Sequence, residues 1–218
     1  MDRKFSFAFG ESYHIYNRGV DKKEIFASRS DYERFLVLLY ACNSEKGIEL
    51  KMIRKGREFE HNRGKCLVDI GAWCLMPNHF HILIRVSEDS PRNVSTFMKK
   101  VQTGYSMYFN KKYERSGCLF EGPFKAEHAM DDIYLRYLFS YIHLNPVKLI
   151  DSRWKIDGPK DIKMTEKYID SYSYSSFVDY KCGFQRRESG ILNCLAFPDY
   201  FSSKTLFDSH IKDFLNYQ

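Results

Sequence analysis

No Cys-x-x-Cys pair occurs in this 218-residue sequence, whose six cysteines (Cys42, Cys66, Cys74, Cys118, Cys182 and Cys194) are scattered. That spacing argues against a zinc ribbon and a disulfide framework, and it points to reduced thiols in a cytoplasmic setting. Long apolar runs are missing too. The longest, Phe35 to Cys42, falls far short of the ~20 residues a membrane-crossing helix needs, so no membrane partner is expected. The amino terminus has no apolar stretch of the ~7 to 15 residues found in a secretory signal, and no internal repeat is visible.

What is present is the composition of a folded, water-soluble chain, 44% apolar and 28% charged. Its length can bury roughly 70% of the unfolded surface, enough for one domain with an appended subdomain. The formal charge of +6 is a mild hint of a polyanionic partner. Aromatics make up 17%, with 16 tyrosines. Rings beside basic grooves are how single strands are held, although rings of this kind also fill ordinary cores.

Periodicity places the elements. Residues 12–17 (Ser-Tyr-His-Ile-Tyr-Asn) alternate and predict a strand. Asp31 to Cys42 carries Phe35, Leu38, Leu39 and Cys42 at helical spacing, with Ser28 or Ser30 to cap it. The charged, glycine-interrupted stretch 47–64 reads as an exposed loop or a long hairpin. Ile70–Leu75 and His79–Val86 form a hairpin across Met-Pro-Asn, Arg92–Tyr113 a second helix, and Phe124–Met130 a fourth strand. Asp131-Asp132 then opens a helix that Asn145-Pro146 should end.

The order β-α-β-β-α-β plus a helix is that of an α+β, ferredoxin-like split β-α-β sheet, with helices on one face and the other available for a site. After Ile150 the composition shifts. Residues 151–167 are polar and contain Gly158-Pro159, 168–180 are rich in Ser and Tyr, and 191–218 look like short apolar helices. The expected organisation is a domain over 1–150 and a small, mainly helical extension over 151–218.

Two segments carry chemistry. On the strand from His79 to Val86, a period of two puts Phe80, Ile82, Ile84 and Val86 on one face and His79, His81, Leu83 and Arg85 on the other. The histidines then stand about 7 Å apart at the backbone, near enough to converge on one metal; a His-x-His pair of purely structural origin fits the same pattern. In Tyr141-Ile-His-Leu-Asn145-Pro-Val-Lys148, Tyr141 and Asn145 are four apart and share a helix face, which sets a phenol beside an amide oxygen. Tyr134, Tyr137 and Leu138 lie on the same stripe, so Tyr141 could equally be an amphipathic core residue.

Together these segments resemble the HUH single-tyrosine transposases, in particular the REP-associated tyrosine transposase branch. HUH denotes two histidines around a hydrophobic residue, matched by His79-Phe80-His81. Tyr-His-Ile-Tyr-Asn-Arg-Gly at 13–19, Gly-Cys-Leu-Phe-Glu-Gly-Pro-Phe-Lys-Ala at 117–126 and the segment 141–148 follow in family order. The likeness spans about 13–150, and Ser173–Gly183 resembles a Ser-Ser-aromatic motif often found beyond that core. Two departures touch DNA contacts: Pro123 stands where the family usually has Arg, and the loop at 47–66 is longer. Some relatives use glutamine where this chain has Asn145.

The resemblance implies that Tyr141 is the nucleophile and that His79, His81 and Asn145 hold a divalent ion, Mg²⁺ or Mn²⁺ by family precedent. Imidazole ligands alone would favour Zn²⁺, Ni²⁺ or Co²⁺ over Mg²⁺. The implied reaction is nicking and strand transfer of single-stranded DNA next to a hairpin, through a 5′-phosphotyrosine. Lys99, Lys100, Lys111, Lys112, Arg115 and Lys148 are candidate phosphate contacts. Relatives divide between homodimers that share a site and sites within one chain. Two other activities fit the residues: a non-cleaving module that grips hairpin DNA or RNA, and a metal-dependent phosphodiesterase using water.

Overall fold

The computed structural model describes residues 6–47, 50–87, 90–201 and 203–216. Its sheet contains β1 (Ser12–Arg18), β2 (Val68–Met76), β3 (His79–Val86) and β4 (Lys125–His128) in the order β2-β3-β1-β4, every neighbouring pair antiparallel. That is the strand order of a ferredoxin-like sheet. Helices α1 (Arg29–Ala41) and α2 (Arg92–Lys112) are the two crossovers.

Local signals account for the element ends. At α1 the Asp31 carboxylate accepts from the backbone N–H of Ser28 at 2.9 Å, closing a capping box. Asp131 caps α3 (Asp132–Leu144) by accepting from the Tyr134 N–H at 2.7 Å. Pro146 ends the α-helix where expected, and the chain continues as a 3-10 turn over Asn145–Leu149. The stretch 47–64 holds two short 3-10 turns, Leu50–Met52 and Glu58–Glu60, with no strand among its described residues.

The period of two on β3 divides the molecule into two cores. Phe80, Ile82, Ile84 and Val86 pack under α1 and α2 with Phe35, Leu38, Phe97, Val101 and Tyr105. On the opposite face Ala72, Cys74 and Leu83 lie beneath Leu138, Phe139 and Ile142 of α3. The same core takes Trp154 of α4 (Trp154–Asp157), Phe177 and Tyr180 of α6 (Phe177–Cys182), Phe201, and Phe207 of α7 (Lys204–Asn216). Between them α5 (Ile162–Ser171) buries Ile169. The second face is therefore covered along β2, not open throughout as the sequence pattern suggested, because its residues there are themselves apolar.

The Ser-Ser-aromatic segment is pinned to the edge of the sheet. The Leu75 N–H donates to the Tyr174 carbonyl, and the Ser176 N–H donates to the Trp73 carbonyl, both at 2.9 Å. This satisfies backbone groups that an edge strand would otherwise leave open. Gly71, at a bulge in β2, makes room for the Phe197 ring, which a Cβ would meet at 2.7 Å. Among the described residues no helix is long and apolar enough to cross a membrane.

Candidate active site

β1 and β3 are the two inner strands, paired so that Tyr16 faces His81 and His14 faces Leu83. On β1, the period of two that sends Tyr13 and Ile15 into the first core turns His14 and Tyr16 toward the second face. His14 and His81 stack there with ring centroids 5.0 Å apart, and His14 Nε2 meets His81 Nδ1 at 2.8 Å. Both rings are buried. The His79 ring stands 4.9 Å from that of His81.

The tautomer of His79 follows from its neighbour. The Asn78 amide nitrogen donates to the Lys22 carbonyl at 3.0 Å, so its oxygen is the atom that meets His79 Nδ1 at 2.5 Å. An amide oxygen only accepts, hence Nδ1 carries the proton and Nε2 keeps a lone pair. His81 Nε2 is buried and has no hydrogen-bond partner. Burial, with Lys148 and Arg18 nearby, pushes His79 down to about 4, and burial beside His14 and His79 pushes His81 well below the usual range. Both imidazoles are thus neutral near pH 7, the form that binds a metal.

α3 carries Tyr141 over these rings, its centroid 5.6 Å from His81 and 5.9 Å from His14. One turn later the buried Asn145 amide donates to the Tyr141 carbonyl at 3.0 Å. Burial raises the Tyr141 phenol above its ordinary range, and the Asn145 side chain partly offsets this. Tyr134, Tyr137 and Tyr141 form a nearly parallel ladder with centroid spacings of 5.8 and 5.9 Å. Tyr141 is the rung against the histidines.

The donor set fits a divalent ion. Two neutral imidazoles offer free nitrogens, one of them buried without a partner, and Asn145 is close at hand as an oxygen donor. No group of three His, Cys, Asp or Glu side chains suited to a metal occurs among the described residues, so an amide or water would complete the shell.

Beyond the expected residues, the structure adds an electrostatic surround. Glu127 on β4 is held down to about 2, first by His14 and then by the Tyr16 hydroxyl, which donates to it at 2.8 Å. His14 Nδ1 is 3.8 Å from the same carboxylate. A cleft of about 380 Å³ beside His79 is lined by Tyr16, Arg18, Lys22, Lys125 and Lys148 among others. Lys155 of α4 sets its ammonium 3.4 Å from the centre of the Tyr141 ring.

Of the six basic residues singled out in the sequence, Lys148 alone lines that cleft. Lys99, Lys100, Lys111 and Lys112 ride on α2, across the sheet from the histidines, and Arg115 follows that helix. Lys112 is engaged with Asp31 at 2.6 Å, and Lys100 with the Ser44 carbonyl at 2.6 Å. Spacing along a helix could not say which sheet face the helix covers. His14 and Arg18 were legible from the β1 alternation, which puts them on one face with Tyr16. Lys125 lies in the quoted 117–126 segment and on the expected fourth strand, whereas Lys22 and Lys155 carried no such signal.

The family model described as "Transposase IS200 like" matches residues 56–145, a span that contains His79, His81, Tyr141 and Asn145. A solved structure of a REP-associated tyrosine transposase bound to a REP hairpin is similar in fold, with a TM-score of 0.53 and 13% identity over 86% of this chain and 90% of that one. No curated protein matches the chain.

Proposed function

We propose that this chain, matched over residues 56–145 by the family model described as "Transposase IS200 like", is a member of that family and a metal-dependent nickase and strand transferase for single-stranded DNA next to a hairpin. The observation that carries the reading is the placement of the Tyr141 phenol against His81 and His14, one helical turn from Asn145, all within one chain.

In this reading the Tyr141 oxygen attacks phosphorus, the bond from phosphorus to the 3′ oxygen breaks, and a 5′-phosphotyrosine and a free 3′-hydroxyl result. Bond energy is kept in the intermediate, so rejoining to another 3′-hydroxyl needs no nucleotide cofactor. His79, His81 and Asn145 would hold Mg²⁺ or Mn²⁺, which supplies Lewis acidity at the phosphate. Tautomers support this: Asn78 presents His79 Nε2, and His14 occupies His81 Nδ1, so each ligand is oriented by a second residue. Lys148, Lys22, Lys125 and Arg18 line a cleft suited to the strand on either side.

The test is incubation of the full chain with labelled single-stranded DNA bearing a hairpin, in Mn²⁺, followed by a denaturing gel. A covalent adduct is expected. Tyr141→Phe should abolish it while retaining binding, His79→Ala, His81→Ala and excess chelator should each remove it, and Tyr134→Phe and Tyr137→Phe should keep it. An adduct that survives Tyr141→Phe would overturn the assignment. Binding without any adduct would indicate a non-cleaving module, and chelator-sensitive release without an adduct would indicate hydrolysis by water.

A further inference from the structure

Lys155 belongs to none of the segments that carry the family resemblance and lies beyond the stretch matched by the family model. The chain leaves Asn145, turns through a 3-10 segment, and α4 brings this lysine back onto Tyr141. Its ammonium sits over the ring face, 3.4 Å from the centroid, where the quadrupole attracts a cation. Trp154 beside it is fully buried and anchors α4 in the second core, so the position of Lys155 is set by packing.

The surroundings hold no carboxylate that pairs with it among the described residues, whereas Lys181 and Arg153 elsewhere in the extension are both paired. Burial and the like charge of Lys148 lower its pKa to about 8. A half-buried ammonium that rests on a ring, with no carboxylate partner among the described residues, has the chemistry to receive an anion, because taking a charge from water is costly unless it is paired.

We propose that Lys155 is a catalytic residue, whose ammonium leaves the Tyr141 ring face to bind a non-bridging oxygen of the scissile phosphate and stays paired with the resulting phosphotyrosine diester. The inference rests on the strand-transfer reading of Tyr141. Any phosphorus in line with the phenol oxygen brings its non-bridging oxygens to the edge of the same ring, within a swing of the lysine stem. A charge-assisted bond to phosphate is stronger than a cation–π contact, so the exchange is downhill. Lys155 keeps all three protons: the bond from the Tyr141 oxygen to phosphorus forms, the bond to the 3′ oxygen breaks, the phenol proton passes to solvent and the 3′ oxygen gains one from solvent. The negative charge stays on the phosphate, opposite the ammonium.

The experiment compares the full chain with Lys155→Met and Lys155→Arg in two measurements, after thermal melting shows the variants folded. The first is the salt dependence of binding to a single-stranded oligothymidylate, which needs no cleavage. Lys155→Met is expected to weaken binding and make the log-log salt slope shallower by about 0.7, the contribution of one phosphate, and Lys155→Arg to preserve both. The second is the adduct rate on hairpin DNA at saturation, expected to fall by about tenfold or more in Lys155→Met and to be substantially restored in Lys155→Arg. A purely structural lysine would leave the slope unchanged, since methionine keeps the packing on the ring. Unchanged slope and adduct rate in Lys155→Met, with an active parent, overturn the inference alone. A shallower slope in a protein whose parent forms no adduct removes strand transfer and leaves the phosphate contact standing.

Discussion

Lys112 shows how a single residue's meaning depends on what it touches. By charge and position it reads as a phosphate contact, yet its ammonium lies 2.6 Å from Asp31 Oδ1, and Asp31 is fully buried. The same carboxylate accepts from Tyr108, Tyr113 and the Ala27 and Ser28 N–H groups. Burial pushes Asp31 up, but hydrogen bonds from Lys112, Tyr113, Tyr108 and Ser28 outweigh it and leave the carboxyl below its ordinary 3.8. A carboxyl depressed on folding stabilises the protein above its unfolded pKa, and that contribution is lost as pH falls through the folded value. Lys112→Met should therefore cost about 2 kcal/mol in urea denaturation at pH 7 and move acid unfolding to higher pH, with less effect on DNA binding than Lys148→Met. A variant as stable as the parent at neutral pH would show that the tyrosines and backbone suffice.

At the scale of elements, α3 is held from two directions. One stripe carries the tyrosine ladder, whose Tyr141 rests against the histidines, and another places His143, fully buried, against Ser176 with Nε2 2.7 Å from the hydroxyl. Ser176 Oγ also accepts from the Trp73 N–H at 2.9 Å, so one hydroxyl joins the sheet edge, the Ser-Ser-aromatic segment and the helix bearing Tyr141. Burial lowers His143 to about 3, which keeps the ring neutral in this clasp. Ser176→Ala should cost about 1–3 kcal/mol by orphaning buried groups. It should also slow adduct formation, because Tyr141 is two residues from the released histidine. Melting temperature and single-turnover rate check the two effects, and a loss of stability with an unchanged rate would show that α3 keeps its place without the clasp.

Across the whole molecule, the second core is shared. Ala72, Cys74 and Leu83 of the sheet and Leu138, Phe139 and Ile142 of α3 pack with Trp154, Phe177, Tyr180, Phe201 and Phe207 of the extension. We propose that 151–218 is a distinct segment in sequence but a required half of this core in folding. A chain cut after Ile150 would expose a contiguous apolar face far beyond what soluble monomers tolerate. It should be recovered aggregated, or should melt well below the full chain by circular dichroism. A truncated chain as stable as the parent would instead establish 1–150 as a self-sufficient domain.

The sequence alone determined the element order and the chemical pairings within an element. Alternation along 79–86 put His79 and His81 on one face, and four-residue spacing put Tyr141 above Asn145, because strand and helix periods are local properties of the backbone. A serine cap at 28 or 30 and the stop at Pro146 were legible for the same reason, whereas the structure decided that Ser28 takes the cap with Asp31 closing the box. What tertiary structure decided was every relation between elements. Which face α2 covers removed four lysines from the site, the pairing of β1 with β3 set His14 on His81, and the turn after Asn145 returned Lys155 to the Tyr141 ring. Those contacts join residues far apart in the chain, and they exist because two cores closed on opposite faces of one sheet, where burial leaves each polar group only the partners that packing brings to it.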